Sequence, residues 1–94
     1  LYLSIPYSRS TEIIVVPNPT DGLALVSFSV PEDGEINVGF YDVSGKLVHT
    51  VFSGKMYKGK YLYPVDLTNV TPGTYYGILQ TGSQIKTNKT IKLN

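Results

Sequence analysis

The chain has 94 residues, room for one hydrophobic core and not for two. Apolar residues make up 41 % and charged residues 16 %, and nine Gly, six Pro and eight Tyr stand against one Met and no Trp, a strand-and-turn composition that argues against a helical bundle. The absence of Cys excludes disulfides, thiolate zinc sites and a thiol nucleophile, and a single His leaves little for metal binding or acid–base work.

Residues 1–11 combine Pro6, Arg9 and three serines without a clean period and read as a linker or the remnant of an upstream domain. The first predicted strand, residues 12–16, stops at Pro17-Asn18-Pro19-Thr20-Asp21-Gly22, where two prolines and a permissive glycine turn the chain. The second, residues 23–30, sets Ala24, Val26, Phe28 and Val30 inward and Ser27 and Ser29 toward water. Pro31-Glu32-Asp33-Gly34 reads as a hairpin turn with positive φ at the glycine. The third strand, residues 35–41, shares Ile36, Val38 and Phe40 on one face, and Asp42-Val43-Ser44-Gly45-Lys46 follows as a turn in which the Asp carboxylate accepts an N–H two residues on.

The fourth strand covers residues 47–52, and the segment from Ser53 to Lys60 reads as a looser polar connection. The fifth, residues 61–66, carries Pro64, which lacks a ladder N–H and so belongs on a sheet edge or at a bulge. The sixth, residues 74–81, places Tyr75, Gly77 and Leu79 together, with Tyr75 where a tyrosine corner would set its phenol against nearby backbone. The last, about residues 85–93, puts Ile91 and Leu93 on one face and Lys92 on the other. Turns every 8 to 12 residues between short strands are the spacing of an all-β fold: an immunoglobulin-like two-sheet antiparallel β-sandwich of about seven strands, with a closed barrel as the alternative.

Little catalytic chemistry survives inspection. His49 lies inside a predicted strand, where it faces solvent or packs at a sheet edge. Glu32 and Asp33 are neighbours in a turn, point apart, and cannot flank a sugar ring as a glycosidase pair would. Asp21, Asp33, Asp42 and Asp66 each sit in or beside a turn and lack the spacing of a calcium loop, so neither a metal nor another cofactor is called for. Tyr57, Tyr61, Tyr63 and Tyr76 could form a sugar platform if they converge on one exposed face.

The net charge of +1 hides a split. Residues 1–45 hold Arg9 against six carboxylates, and residues 46–94 hold seven lysines against Asp66. Lysines without arginine suit a solubilising strand exterior better than a nucleic-acid surface. No apolar run approaches a membrane span, and the first residues lack the pattern of a signal peptide, so the chain reads as a piece of a longer protein.

Taken in order, the turn motifs resemble the type A C-terminal sorting domain of the Bacteroidota type IX (Por) secretion system, over residues 12–94. Val16-Pro17-Asn18-Pro19 with Gly22 is similar to the family's opening turn, and Phe40-Tyr41-Asp42-Val43-Ser44-Gly45-Lys46-Leu47-Val48 to its tyrosine-aspartate turn. Gly59, Val65-Asp66-Leu67, Thr71-Pro72-Gly73-Thr74-Tyr75 and the lysine-bearing run Asn88 to Leu93 resemble the later blocks. Val16 stands where the family often has Tyr, Lys46 replaces the commoner Arg, and the terminal lysines are separated where the family often pairs them.

The resemblance implies a non-catalytic address domain behind an N-terminal cargo, carried through the periplasm and across the outer membrane to the surface or medium. Its implied partners are the outer-membrane shuttle and a sortase-like protease that cleaves the domain; neither nucleic acid nor stable membrane insertion is implied. Asn18, Pro19, Gly22, Asp42, Gly45, Asp66, Gly73 and Tyr75 would be the motif residues. Lys86, Lys89 and Lys92 would be outward charges on an exposed last strand that meet the translocon. An immunoglobulin- or fibronectin-like accessory module of a secreted enzyme, serving as spacer or carbohydrate-binding domain, is the alternative.

Overall fold

A computed structural model describes residues 12–94, which form seven strands and no helix. They are β1 (Ile13–Val16), β2 (Leu23–Val30), β3 (Gly34–Asp42), β4 (Leu47–Met56), β5 (Gly59–Asp66), β6 (Gly73–Gln80) and β7 (Ile85–Lys92). All strand pairs are antiparallel, in a three-stranded sheet ordered β1-β2-β5 and a four-stranded sheet ordered β4-β3-β6-β7. Two antiparallel sheets closing on one core are the immunoglobulin-like sandwich expected from the strand spacing. The fourth strand joins the sheet of β3, whereas in the constant-type immunoglobulin arrangement it lies beside the fifth strand. The short turn from Asp42 to Lys46 holds β4 alongside β3, and Pro64 lies on β5, an edge strand, where a missing N–H costs least.

The core follows the period of two. Val26, Phe28 and Val30 from one sheet meet Ile36, Val38, Phe40 and Leu79 from the other, all essentially without solvent exposure. Burying side chains of this size contributes about 1.5–3 kcal/mol each before conformational entropy is charged against it. Tyr61 and Tyr63 stack on Phe28 at 5.7 Å and extend the core along β5.

The structure departs from the sequence expectations at four places. β4 does not end at Phe52: it runs to Met56, whose side chain is buried, and only Tyr57 and Lys58 separate it from β5. The polar residues Ser53, Gly54 and Lys55 pair in unbroken register with Asn37, Ile36 and Glu35, so the ladder with β3 carries the strand across the segment, and the register shifts lie earlier, at Val51 and Val48. Gly34 is not a positive-φ corner; it is the first residue of β3, paired with Met56. Ser29 does not face water but is 2 % exposed, since Glu12 and Lys60 flank it from either side and form an ion pair at 3.8 Å across β2.

The fourth departure concerns β7. Its register with β6 pairs Tyr75 with Thr90 and Gly73 with Lys92, and since Tyr75 and Leu79 face the core, the even positions of β7 face inward too. Lys92 is therefore 4 % exposed rather than an outward charge, while Ile91 and Leu93 lie on the outer side. The Lys92 stem is buried at the end of the sandwich, and its Nζ turns back to donate to the Leu93 carbonyl at 2.9 Å.

Candidate functional site

The residues singled out as motif positions gather at one end of the sandwich, where β1, β3, β5 and β7 finish and β2, β4 and β6 begin. Asn18 and Thr20, between β1 and β2, reach across to the outer edge of β7. The Asn18 side chain donates from Nδ2 to the Lys89 carbonyl at 2.7 Å and accepts the Ile91 N–H at Oδ1, 3.0 Å. A carboxamide offers the donor and acceptor of a peptide unit, so it takes the place of one residue of a neighbouring strand. Thr20 continues the imitation with its main chain: its N–H donates to the Ile91 carbonyl at 2.9 Å and its carbonyl accepts the Leu93 N–H at 2.8 Å, a one-residue parallel bridge. The buried Thr20 hydroxyl donates to the Leu23 carbonyl and accepts the Gly22 N–H, which fixes the strap to β2.

Gly22 takes φ of +145°, and its carbonyl accepts the Leu67 N–H at 2.7 Å. A Cβ there would lie 2.5 Å from Thr68 Cγ2 and 3.2 Å from Thr68 Cα, so a larger residue would have to displace Thr68 as well as adopt a disfavoured φ. Pro19 links the two strap residues, and Gly73, with φ of +153°, opens β6 opposite Lys92.

Asp42 and Asp66 are the same device used twice. Asp42 Oδ1 accepts the Ser44 hydroxyl at 2.7 Å and the N–H groups of Ser44 and Lys46 at 2.9 and 3.0 Å, while Gly45 with φ of +90° completes the turn. Asp66 Oδ1 accepts the Thr68 hydroxyl at 2.6 Å and its N–H at 3.0 Å. The hydroxyl bond first, and the backbone bonds after it, hold both carboxyls below the usual aspartate pKa. Tyr75 is buried and its phenol donates to the Thr71 carbonyl four residues back, the tyrosine corner that closes the link between β5 and β6.

The lysines divide. Lys86 and Lys89 are exposed on β7; Lys92 belongs to the buried end just described. From Leu67 to Asn94 the chain contains these three lysines and no carboxylate side chain, so the charged side chains of the β6–β7 hairpin are all cationic, while the other four lysines of the basic half lie from Lys46 to Lys60. Elsewhere the two halves interleave, as Glu35 opposite Lys55 and the Glu12–Lys60 pair show.

The tyrosines do not converge. Tyr61 and Tyr63 point inward onto Phe28, Tyr57 is exposed at the β4–β5 turn, and Tyr76 lies on the outer face of the other sheet. Asp33 is taken up by the Lys58 N–H at 2.8 Å, and among the described residues no three His, Asp or Glu side chains come together as a metal site would require. His49, on edge strand β4, leans on Phe40 with ring centroids 6.5 Å apart.

Thr20, Thr68 and the strapping function of Asn18 have no counterpart in the sequence reading. Asn18 meets β7 across 71 and 73 residues of chain, and no local pattern announces a contact of that separation.

The motif residues of this small all-β sandwich are engaged in turns, a strap and a corner. Residues 14–93 match the secretion system C-terminal sorting domain family (Por_Secre_tail), and the chain belongs to that family. It is a sorting domain of type IX secretion, a tag for export to the cell surface or the medium. Comparison with curated proteins and with solved structures returned no match.

Proposed function

We propose that the domain acts as the address of a cargo fused to its N-terminal side, takes that cargo from the periplasm across the outer membrane, and is then removed by a sortase-like protease. The observation that carries this reading is the family match over residues 14–93, joined to a fold whose motif residues hold the last strand in place from outside. An address must survive in the periplasm as a folded body and present one constant feature to its receptor. The strap supports both requirements, because it orders the end of the chain and blunts half of an edge that would otherwise pair promiscuously. The exposed lysines Lys86 and Lys89 are the residues through which an acidic receptor surface would be met, with long-range attraction assisting the encounter.

The test fuses the 94-residue chain behind a fluorescent reporter exported to the periplasm of a type IX-competent bacterium, with a translocon-deficient strain as control. The reading predicts fluorescence on the surface or in the medium of the first strain and in the periplasm of the second. Equal periplasmic retention in both contradicts it.

A further inference from the structure

The two sheets present four edge strands, and three are blunted. β1 has four residues, β4 is interrupted by two register shifts, and β5 carries Pro64. The fourth, β7, is divided. Main-chain N–H and C=O of one residue point to the same side of a strand and alternate along it. Ile91 bonds outward to Asn18 and Thr20, so the same parity turns Ile85, Thr87 and Lys89 outward. Asn18 occupies the Lys89 carbonyl. Among the described residues nothing pairs with the outer edge from Ile85 to the Lys89 N–H, an open stretch of about 15 Å.

A groove of about 480 Å³ adjoins this half-edge on the outer face of the same sheet, with Tyr41, Tyr76, Ile78, Ile85 and Thr87 among its walls. Ile85 is 62 % exposed there. The one carboxylate bordering the groove, Asp42, is engaged within its own turn. The hairpin that supplies the edge is purely cationic in its side chains.

We infer that the half-edge from Ile85 to Lys89 is a docking site for an extended, acidic segment of a partner protein, which adds as a fifth strand to the β4-β3-β6-β7 sheet. Main-chain bonds to Ile85, Thr87 and Lys89 supply the attachment, and the groove accepts alternate apolar side chains of the incoming strand. Carboxylates that alternate with those apolar side chains fall on the face of Lys86 and select the partner there, while Lys89, on the groove's own face, adds attraction for an acidic segment, and both lysines repel a second copy of this hairpin. Asn18 sets the register, since the incoming strand must end where the strap begins. This deepens the sorting role proposed above and rests on it for the setting in which the partner is met.

The experiment titrates the 94-residue chain with a synthetic heptapeptide of alternating Glu and Val, using the Lys–Val peptide as control and following backbone amide shifts. The expected result is saturable binding of the acidic peptide alone, with shifts centred on Ile85, Thr87 and Lys89. Thr87→Pro, which deletes an outward N–H and leaves the β6–β7 ladder intact, weakens it about tenfold, equivalent to about 1.4 kcal/mol. Lys86→Glu with Lys89→Glu, which leaves the backbone unchanged, abolishes it. Absence of saturable binding, shifts elsewhere, undiminished affinity in both variants, or a dimer of the free chain by light scattering overturns the inference. In the reporter assay, secretion of the Thr87→Pro fusion at the unmodified level overturns strand addition and leaves the sorting role standing. Failure of the unmodified fusion to be secreted overturns the sorting role itself.

Discussion

The two halves of β7 share one strand and one ladder with β6, yet they meet their surroundings in opposite ways. From Thr90 onward the strand is enclosed: Thr90 and Lys92 are buried, Ile91 is bonded on its outer edge by Asn18 and Thr20, and Leu93 by Thr20. From Ile85 to Lys89 the strand is exposed apart from half-buried Asn88, with a cationic side chain at Lys86 and another at Lys89. An unprotected edge of eight residues would be a template for pairing with any extended chain. Covering half of it with a side-chain amide and one residue of main chain leaves a short, charged remainder. Order at the end of the chain is thus maintained from the opposite end of the sequence, through the turn that resembles the family's opening motif.

The largest effect is expected where the strap is anchored. Gly22→Ala combines a disfavoured φ with a clash against Thr68 and lowers stability by about 3 kcal/mol, read as a lower urea midpoint with unchanged slope. Removing the strap itself comes next. Asn18→Ala deletes two hydrogen bonds at about 1 kcal/mol each. Asn18→Asp gains little over Ala, because the carboxylate retains the acceptor for Ile91 but sets its second oxygen against the Lys89 carbonyl; an Asp variant as stable as the parent would break the peptide-mimic account.

Acid acts on the turns at the same end of the sandwich. Asp42 and Asp66 hold depressed pKa values in the folded chain, so between the folded and unfolded values the unfolded state binds more protons. Their contribution is present above about pH 4, the unfolded value, and is lost as pH falls through the folded one. Asp42→Asn with Asp66→Asn keeps the Oδ1 acceptors, and its melting temperature falls less steeply than the parent's below pH 4. A parallel decline in both chains would remove the carboxylates from the account. The smallest effect is expected at the open half-edge: Thr87→Pro changes stability by less than about 0.5 kcal/mol, since the lost N–H faces outward. A large loss there would mean that the edge is not open.

Much of the fold is legible in the sequence because its punctuation is strong. Pro31, Gly45, Pro72 and Gly82 interrupt runs of clean alternation, and Val26, Phe28, Ile36 and Phe40 can be buried together only if two sheets close on them. The turn role of Asp42 and the corner role of Tyr75 were readable for the same reason: both act within four residues of their own position. β7 reads the wrong way. Ile91 and Leu93 share one parity opposite Lys92 and invite an inward assignment, but the register is set by Tyr75 and Leu79 on β6 and by Asn18, none of which the local pattern contains. The polar segment before Met56 reads as a loop on similar grounds, because the regular pairing with residues 34–37 that makes it a strand comes from β3 and not from its own composition.

Residue-resolved amide hydrogen exchange on β7 tests the division of the strand most directly. In the 94-residue chain the Ile91 and Leu93 amides are expected to be protected and the Ile85, Thr87 and Lys89 amides to exchange rapidly, and Asn18→Ala should bring Ile91 to the rate of Thr87. Equal exchange of Ile91 and Thr87 in the unmodified chain, or protection of Ile91 that persists without Asn18, would contradict the strap.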